Sequence, residues 1–297
     1  MNDLRITDPL YKKFGLEYAS VSQNKLTEDK RFLMYIVLTP EERLKLPKRS
    51  HFTMGNVIHT VVQKKVCKNE SLKDLLLNKE KSAFKTIKAE KSIDEKDKAK
   101  RYYMAKNIKN IVKQFEQGLD SLPKQKWNYE TEYACWLDGV NTYFKMFIDL
   151  EGDTHIVDLK NIFGSVVKTK KGYSYTKRAV PTVPFHSDLM QVAAYSKATG
   201  GKKPVLIYAN HFEHKVFDET NCEDLKLENL QFYLNELVTY QQIWEQKLKM
   251  ANGNPYVLAK LIRPDFSDIR KKQDPFWADM PNEYINRFYR YYINANG

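Results

Sequence analysis

The segment Tyr143 to Lys160, YFKMFIDLEGDTHIVDLK, holds Asp149, Asp158 and Lys160 in two short apolar runs separated by a turn. Side chains on a β-strand alternate between faces, so Asp158 and Lys160 project one way while Val157 and Leu159 project the other. The turn Glu151-Gly152-Asp153 folds the strand ending at Asp149 back beside the strand that carries Asp158, which brings the two carboxylates together. Close carboxylates raise one another's pKa unless a cation takes both as oxygen ligands, and Mg²⁺ or Mn²⁺ suits such ligands. A metal so held lowers the pKa of bound water and neutralises charge building on a phosphate, with Lys160 assisting the attacking water or the oxyanion. The bland alternative is a surface hairpin whose Asp-Leu-Lys is a solvated ion pair.

Composition narrows the setting. At 297 residues, 42% hydrophobic and 13% aromatic, the chain can bury a sizeable core and is read as one domain without general disorder. No apolar run approaches a membrane span, so no membrane partner is expected. The N-terminal residues lack the apolar centre of a secretory signal, and their acidic members count against a mitochondrial presequence, which leaves the cytoplasm as the expected compartment. Cys67, Cys135 and Cys222 are widely spaced and suggest neither a disulfide framework nor a zinc or iron–sulfur site. A net charge of +12 points towards a polyanionic partner. There is no P-loop, heptad array or internal repeat.

The elements that would position these residues are legible from periodicity. MGNVIHTVVQKKV, from Met54, places Ile58, Val61 and Val62 on one helical stripe with His59 and Gln63 on its flank. Residues 26–37 fit a helix or a short strand, the Lys-rich stretch 69–99 reads as exposed short helices, and residues 100–122 form an amphipathic helix ending before Pro123. Strands follow at 129–137, 142–150 and 155–162 as an antiparallel meander. Residues 164–184 form a long basic loop or hairpin with Lys168, Lys170, Lys171, Tyr173, Tyr175, Lys177 and Arg178, either a solvated insertion or a flap that holds nucleic acid by phosphate contact and stacking. Ser187 is placed to cap a helix carrying Gln191 and Tyr195, a strand PVLIYANHF follows, and 222–250 is a long amphipathic helix. The aromatic, basic C-terminal tail is read chiefly as packing.

Four short motifs stand in order: GNVIH at Gly55 to His59, FID ending at Asp149, DLK at Asp158 to Lys160, and QVAAY at Gln191 to Tyr195. This order resembles the PD-(D/E)XK nuclease superfamily and, more narrowly, its RecB-type exonuclease branch, which includes the mitochondrial genome maintenance exonuclease and phage relatives. The resemblance spans His59 and residues 129–210. It implies an α/β fold with a mixed central sheet flanked by helices and with helical N- and C-terminal additions. Within a single nuclease domain over 1–297, residues 1–125 would be mostly helical and carry His59, 126–215 would be the catalytic core, and 216–297 a C-terminal helical part. It further implies that Asp149 and Asp158 bind metal, that His59 and the Leu159 carbonyl complete the ligand set, and that Lys160 serves the attacking water. Gln191 and Tyr195 would support the site or touch substrate, and Glu132 on the preceding strand is an additional acidic candidate. The chain departs from the family in having Asp158 where Glu is more frequent, in its long basic insertion, and in lacking the cysteine cluster of iron–sulfur relatives.

The activity implied is Mg²⁺- or Mn²⁺-dependent hydrolysis of DNA, exonucleolytic on single strands or free ends, in phage-type replication, recombination or repair, with replication or recombination proteins as possible partners. The alternatives are a non-catalytic nucleic-acid-binding protein with a nuclease-like fold and a structure-selective endonuclease.

Overall fold

The computed structural model describes residues 7–78, 82–89 and 92–294. Its centre is a mixed five-stranded sheet in the order β1-β2-β3-β6-β7, with β1 Asn128–Cys135, β2 Phe144–Glu151, β3 His155–Asn161, β6 Lys203–Ala209 and β7 His214–Phe217. β2 and β3 pair antiparallel through Leu150↔Val157 and Glu151↔Ile156, β3 and β6 run parallel, and β6 and β7 are antiparallel. A separate hairpin, β4 Ser165–Thr169 and β5 Gly172–Thr176, follows β3. The chain is thus α/β with helices packed on the sheet, as its sequence implied.

Two compact units divide the chain. One contains Lys48–Glu132 and Phe147–Gln231, the other Met1–Pro47, Tyr133–Met146 and Phe232–Gly297. In the first, the alternation along β3 and β6 sends Val157, Leu159, Val205, Ile207 and Ala209 into a core with Met54, Ile58, Val61 and Val62 of the Ser50–Lys68 helix. Ile108, Ile111, Val112 and Phe115 of the Glu95–Asp120 helix complete that layer. The His186–Ala198 helix packs on β3 and β6 as well, burying Leu189, Val192 and Ala193.

The two helices of the first layer are joined at their starts by Asp97, which is 3% exposed. Its carboxylate accepts the Ser50 N–H (2.9 Å) and the Ser50 hydroxyl (2.8 Å), satisfying a donor that the first turn of a helix would otherwise leave unpaired. The Asp97 N–H in turn is capped by Asp94 Oδ1 at 2.6 Å. The Ser50–Lys68 helix ends at Asn69 in the left-handed region, φ 50°, with its N–H on the Lys64 carbonyl.

Some local readings change. Residues 28–37 are helical, an α-turn over Glu28–Phe32 continuing as a π-helical turn over Leu33–Val37. Ser187 does not cap its helix. Phe185 occupies that position, and its carbonyl receives the Asp188 and Leu189 N–H groups at 2.8 and 3.1 Å while its own N–H donates to the Tyr208 hydroxyl at 3.1 Å. A tertiary contact to the sheet therefore sets the helix start. In the second unit, Trp277 and Phe288 of the aromatic tail are buried in a core with Phe32, Trp244 and Leu258, so packing is their role.

Gly118 lets the helix approach the sheet closely: a Cβ there would lie 2.9 Å from Ile207 Cγ2 and 3.3 Å from Val216 Cγ2. Gly118→Val forces these neighbours apart, and urea titration should show a loss of about 1–3 kcal/mol. An unchanged midpoint would mean that the helix can lift off β6 without penalty.

Candidate active site

All four motifs converge in the first unit. Asp158 and Lys160 leave the same face of β3, and the parallel register sets Lys160 beside Tyr208 of β6. The Lys160 ammonium lies 2.7 Å from Asp158 Oδ2 and 3.5 Å from Asp188 Oδ1, and it donates to Gln191 Oε1 at 3.0 Å. Gln191 in turn donates through Nε2 to the Tyr195 hydroxyl at 2.5 Å, and Tyr208 donates to Asp188 Oδ2 at 2.8 Å. Gln191 and Tyr195 thus orient the lysine from below.

Asp149 comes to the cluster from β2. Past the Leu150↔Val157 pair its side chain takes the Leu159 N–H through Oδ2 at 2.8 Å. Its carbonyl accepts Gln63 Nε2 at 3.1 Å, and its Oδ1 lies 3.6 Å from His59 Nδ1. His59 and Gln63, one turn apart, therefore grip Asp149 from the other face of the sheet. His59 Nε2 is buried without a hydrogen-bond partner among the described residues, its ring edge-on to Phe115.

The electrostatics follow from burial. Desolvation, together with the repulsion of Asp149 and Asp188, outweighs Lys160 and pushes Asp158 up to about 6. Burial also opposes ionisation of Asp149, but His59, the Leu159 amide and Lys160 together hold it below the usual carboxylate range. Burial alone would favour a neutral Lys160, yet Asp158 and Asp188 reverse this and raise it well above an ordinary ammonium. Asp158 Oδ2 remains without an aligned hydrogen bond despite the short ion pair.

Among the described residues no three His, Cys, Asp or Glu side chains are grouped as a ready metal cage. A cation here would draw on Asp149 and Asp158, with the Leu159 carbonyl and His59 as further donors. These residues fit one in chemistry: the site carries more buried carboxylate than ammonium, an orphaned imidazole nitrogen and an unaligned carboxylate oxygen.

Other candidate residues lie elsewhere. Glu132 is exposed on edge strand β1, two strands from Asp158, and stays outside the buried cluster. Lys168, Lys170, Lys171, Tyr173, Lys177 and Arg178 are exposed on or just beyond the β4–β5 hairpin, with the Lys177 ammonium over the Phe212 ring at 4.9 Å. Tyr175 already has partners within the protein. Its ring lies 3.7 Å from that of Tyr103 at 10°, and its hydroxyl accepts the Gly164 N–H at 2.5 Å. The missed residue is Asp188, 6% exposed, the second anion of Lys160. Its spacing, three residues before Gln191 and seven before Tyr195, is the signal that could have found it.

No family model matches the chain, and no curated protein matches its sequence. Among solved structures the chain is similar to a protein from Eubacterium rectale described as a "putative exonuclease", at 15% identity and TM-score 0.47, over 80% of this chain and 82% of that one. It is also similar to SSO0001 at 12% identity and TM-score 0.28, over 73% of this chain and 96% of that one. The chemistry of the site therefore has to come from its side chains.

A carboxylate whose pKa is raised on folding stabilises the protein below its unfolded pKa and loses that contribution as pH rises towards its folded one. For Asp158 the window runs from the ordinary value of 3.8 up to about 6. Asp158→Asn should therefore gain stability over the native protein as pH rises through this window, by on the order of 1–3 kcal/mol at neutral pH with chelator present. Thermal unfolding of both proteins from acid to neutral pH checks it. A constant difference would place the raised pKa elsewhere.

Proposed function

We propose that the protein is a metal-dependent phosphodiesterase acting on DNA, an exonuclease of single strands or free ends. The observation that carries this reading is the juxtaposition of Asp149, Asp158 and Lys160 in one buried cluster, with the lysine oriented by Gln191. Asp149 and Asp158 hold Mg²⁺ or Mn²⁺, with His59 and the Leu159 carbonyl as additional donors. When bound, the cation polarises the attacking water and offsets the charge gathering on the phosphate.

The chain's own groups divide the remaining work. Lys160, kept protonated by two carboxylates, is a hydrogen-bond donor rather than a general base, and it steadies the phosphate oxygens as their charge grows. Gln191 and Asp188 fix the direction of its ammonium, and Tyr195 and Tyr208 hold those two in turn. His59, the Leu159 amide and Lys160 keep Asp149 ionised, and Gln63, on its backbone carbonyl, steadies that stretch of β2. The surface charge of the Lys-rich chain attracts the DNA backbone, and salt weakens that attraction.

End-labelled linear and circular single-stranded DNA, incubated with Mg²⁺, Mn²⁺ or EDTA, tests the reading. Linear substrate should disappear only with metal, the circle should survive, and Asp149→Asn, Asp158→Asn and Lys160→Met should each lower kcat by about a hundredfold or more. Binding without cleavage under every metal condition would make the protein a nucleic-acid binder with a nuclease-like site.

Asp188→Asn separates positioning from metal binding. Removing this anion lowers the pKa of Lys160, so the alkaline limb of the pH–rate profile should move to lower pH while KM stays near the native value and kcat falls by about tenfold. A drop in kcat with an unmoved alkaline limb would deny Lys160 its role as the titrating acid.

A further inference from the structure

A second concavity lies in the same unit, away from the carboxylates. It is a groove of about 710 Å³ bordered by the Ala83–Ala89 helix, the first half of the Glu95–Asp120 helix and the hairpin strand β5. Phe84 and Ile87 contribute apolar floor, and Tyr102 and Tyr173 stand at its walls, 74% and 41% exposed. Its charged lining is cationic, with Lys88, Lys98, Arg101 and Lys106, and the acid among them, Glu95, is already 3.4 Å from Lys98.

The exposure of those tyrosines follows from the stack beside them. Tyr103 and Tyr175 lie face to face at 3.7 Å and pin the hairpin to the helix. Tyr173 shares the face of β5 with Tyr175, and Tyr102 is turned about 100° from Tyr103 around the helix. The same contact that holds Tyr175 against Tyr103 thus places Tyr102 and Tyr173 at the groove. Gly164 at the hairpin base permits the arrangement, because a Cβ there would come within 2.0 Å of the Thr176 carbonyl and 2.7 Å of the Tyr175 ring.

We infer that this groove binds a single strand of nucleic acid, its bases against Tyr102 and Tyr173 and its phosphates along the cationic rim. Flat aromatic faces over an apolar floor suit unstacked bases, and the ammonium groups of Lys88 and Lys106 beside them suit the backbone at the same time. A duplex offers its phosphates but not its base faces, so the groove discriminates between the two forms. The choice of polymer rests on the nuclease reading; the groove itself rests on its own residues.

Fluorescence anisotropy with labelled oligothymidylate, in EDTA so that nothing is cut, tests the inference. Tyr102→Ala/Tyr173→Ala should weaken single-strand binding roughly tenfold and leave binding to a blunt duplex unchanged. Lys88→Gln/Lys106→Gln should reduce the salt dependence of the affinity, log against log, by about 1 to 1.5. Native melting temperatures in both variants show that the fold is kept. Native affinity and salt slope in both variants would overturn the groove, as would a poly-glutamate peptide whose binding falls with the tyrosine pair as that of oligothymidylate does.

Hydrolysis of a small diester, thymidine 5′-p-nitrophenyl phosphate with Mn²⁺, keeps the two readings apart because it needs no long strand. Turnover retained in the tyrosine variant, with oligothymidylate binding lost, supports both readings. Turnover with binding insensitive to the tyrosines retains the nuclease and removes the groove. No turnover in the native protein, with tyrosine-dependent binding, retains the groove and removes the nuclease.

Discussion

One buried ammonium among several carboxylates organises the first unit. Lys160 cannot be left unpaired in a low-dielectric interior, and Asp158 and Asp188 answer it from a strand and from a helix. Asp149 adds a further negative charge to the neighbourhood, so the cluster is over-supplied with anions. Such an excess survives only where the surrounding elements force it. The parallel register of β3 and β6, the helix clamped onto them through Tyr208 and Gln191, and the helix behind that offers His59 and Gln63 together apply that force.

Much of this was readable from the residues, for identifiable reasons. The β2–β3 turn and the alternation around Asp158 and Lys160 are local, so the strands appear within a residue or two of where the pattern put them. The helix stripes of 50–68 and 95–120 are strong because their apolar residues face one core. Asp188 escaped because an acidic residue in the first turn of a helix is ordinary there, and only Lys160, distant in sequence, gives it a task. The start of that helix was misplaced at Ser187 for a related reason, since Tyr208 rather than a capping side chain defines it. The stack of Tyr175 on Tyr103 was not legible, because stacking on a neighbouring tyrosine and stacking on a base leave the same trace in composition.

The second unit shows how the same residue types serve packing instead. There Tyr11 donates to buried Glu245 at 2.8 Å, Arg31 reaches Gln241 Oε1 at 2.9 Å, and its guanidinium covers the Trp244 ring at 4.5 Å. Glu245 also accepts the Asn141 N–H at 3.0 Å, so each charged member has partners. A closed polar network of this kind fixes one arrangement of a core. Around Lys160, by contrast, it is a titratable pair that is left short: His59 keeps an orphaned imidazole nitrogen and Asp158 an unaligned carboxylate oxygen.

The parallel pairing of β3 with β6 has a topological effect. Parallel neighbours cannot be joined by a tight turn, so the chain must leave the sheet, cross as the His186–Ala198 helix and return. The β4–β5 hairpin sits in that excursion, after Asn161 and before the helix. The entropy of closing such a connection grows only with the logarithm of its length, so segments can be gained or shed there while the register of Asp158 and Lys160 is untouched. The crossover is thus where evolution can alter the approach to the site without rebuilding the site itself.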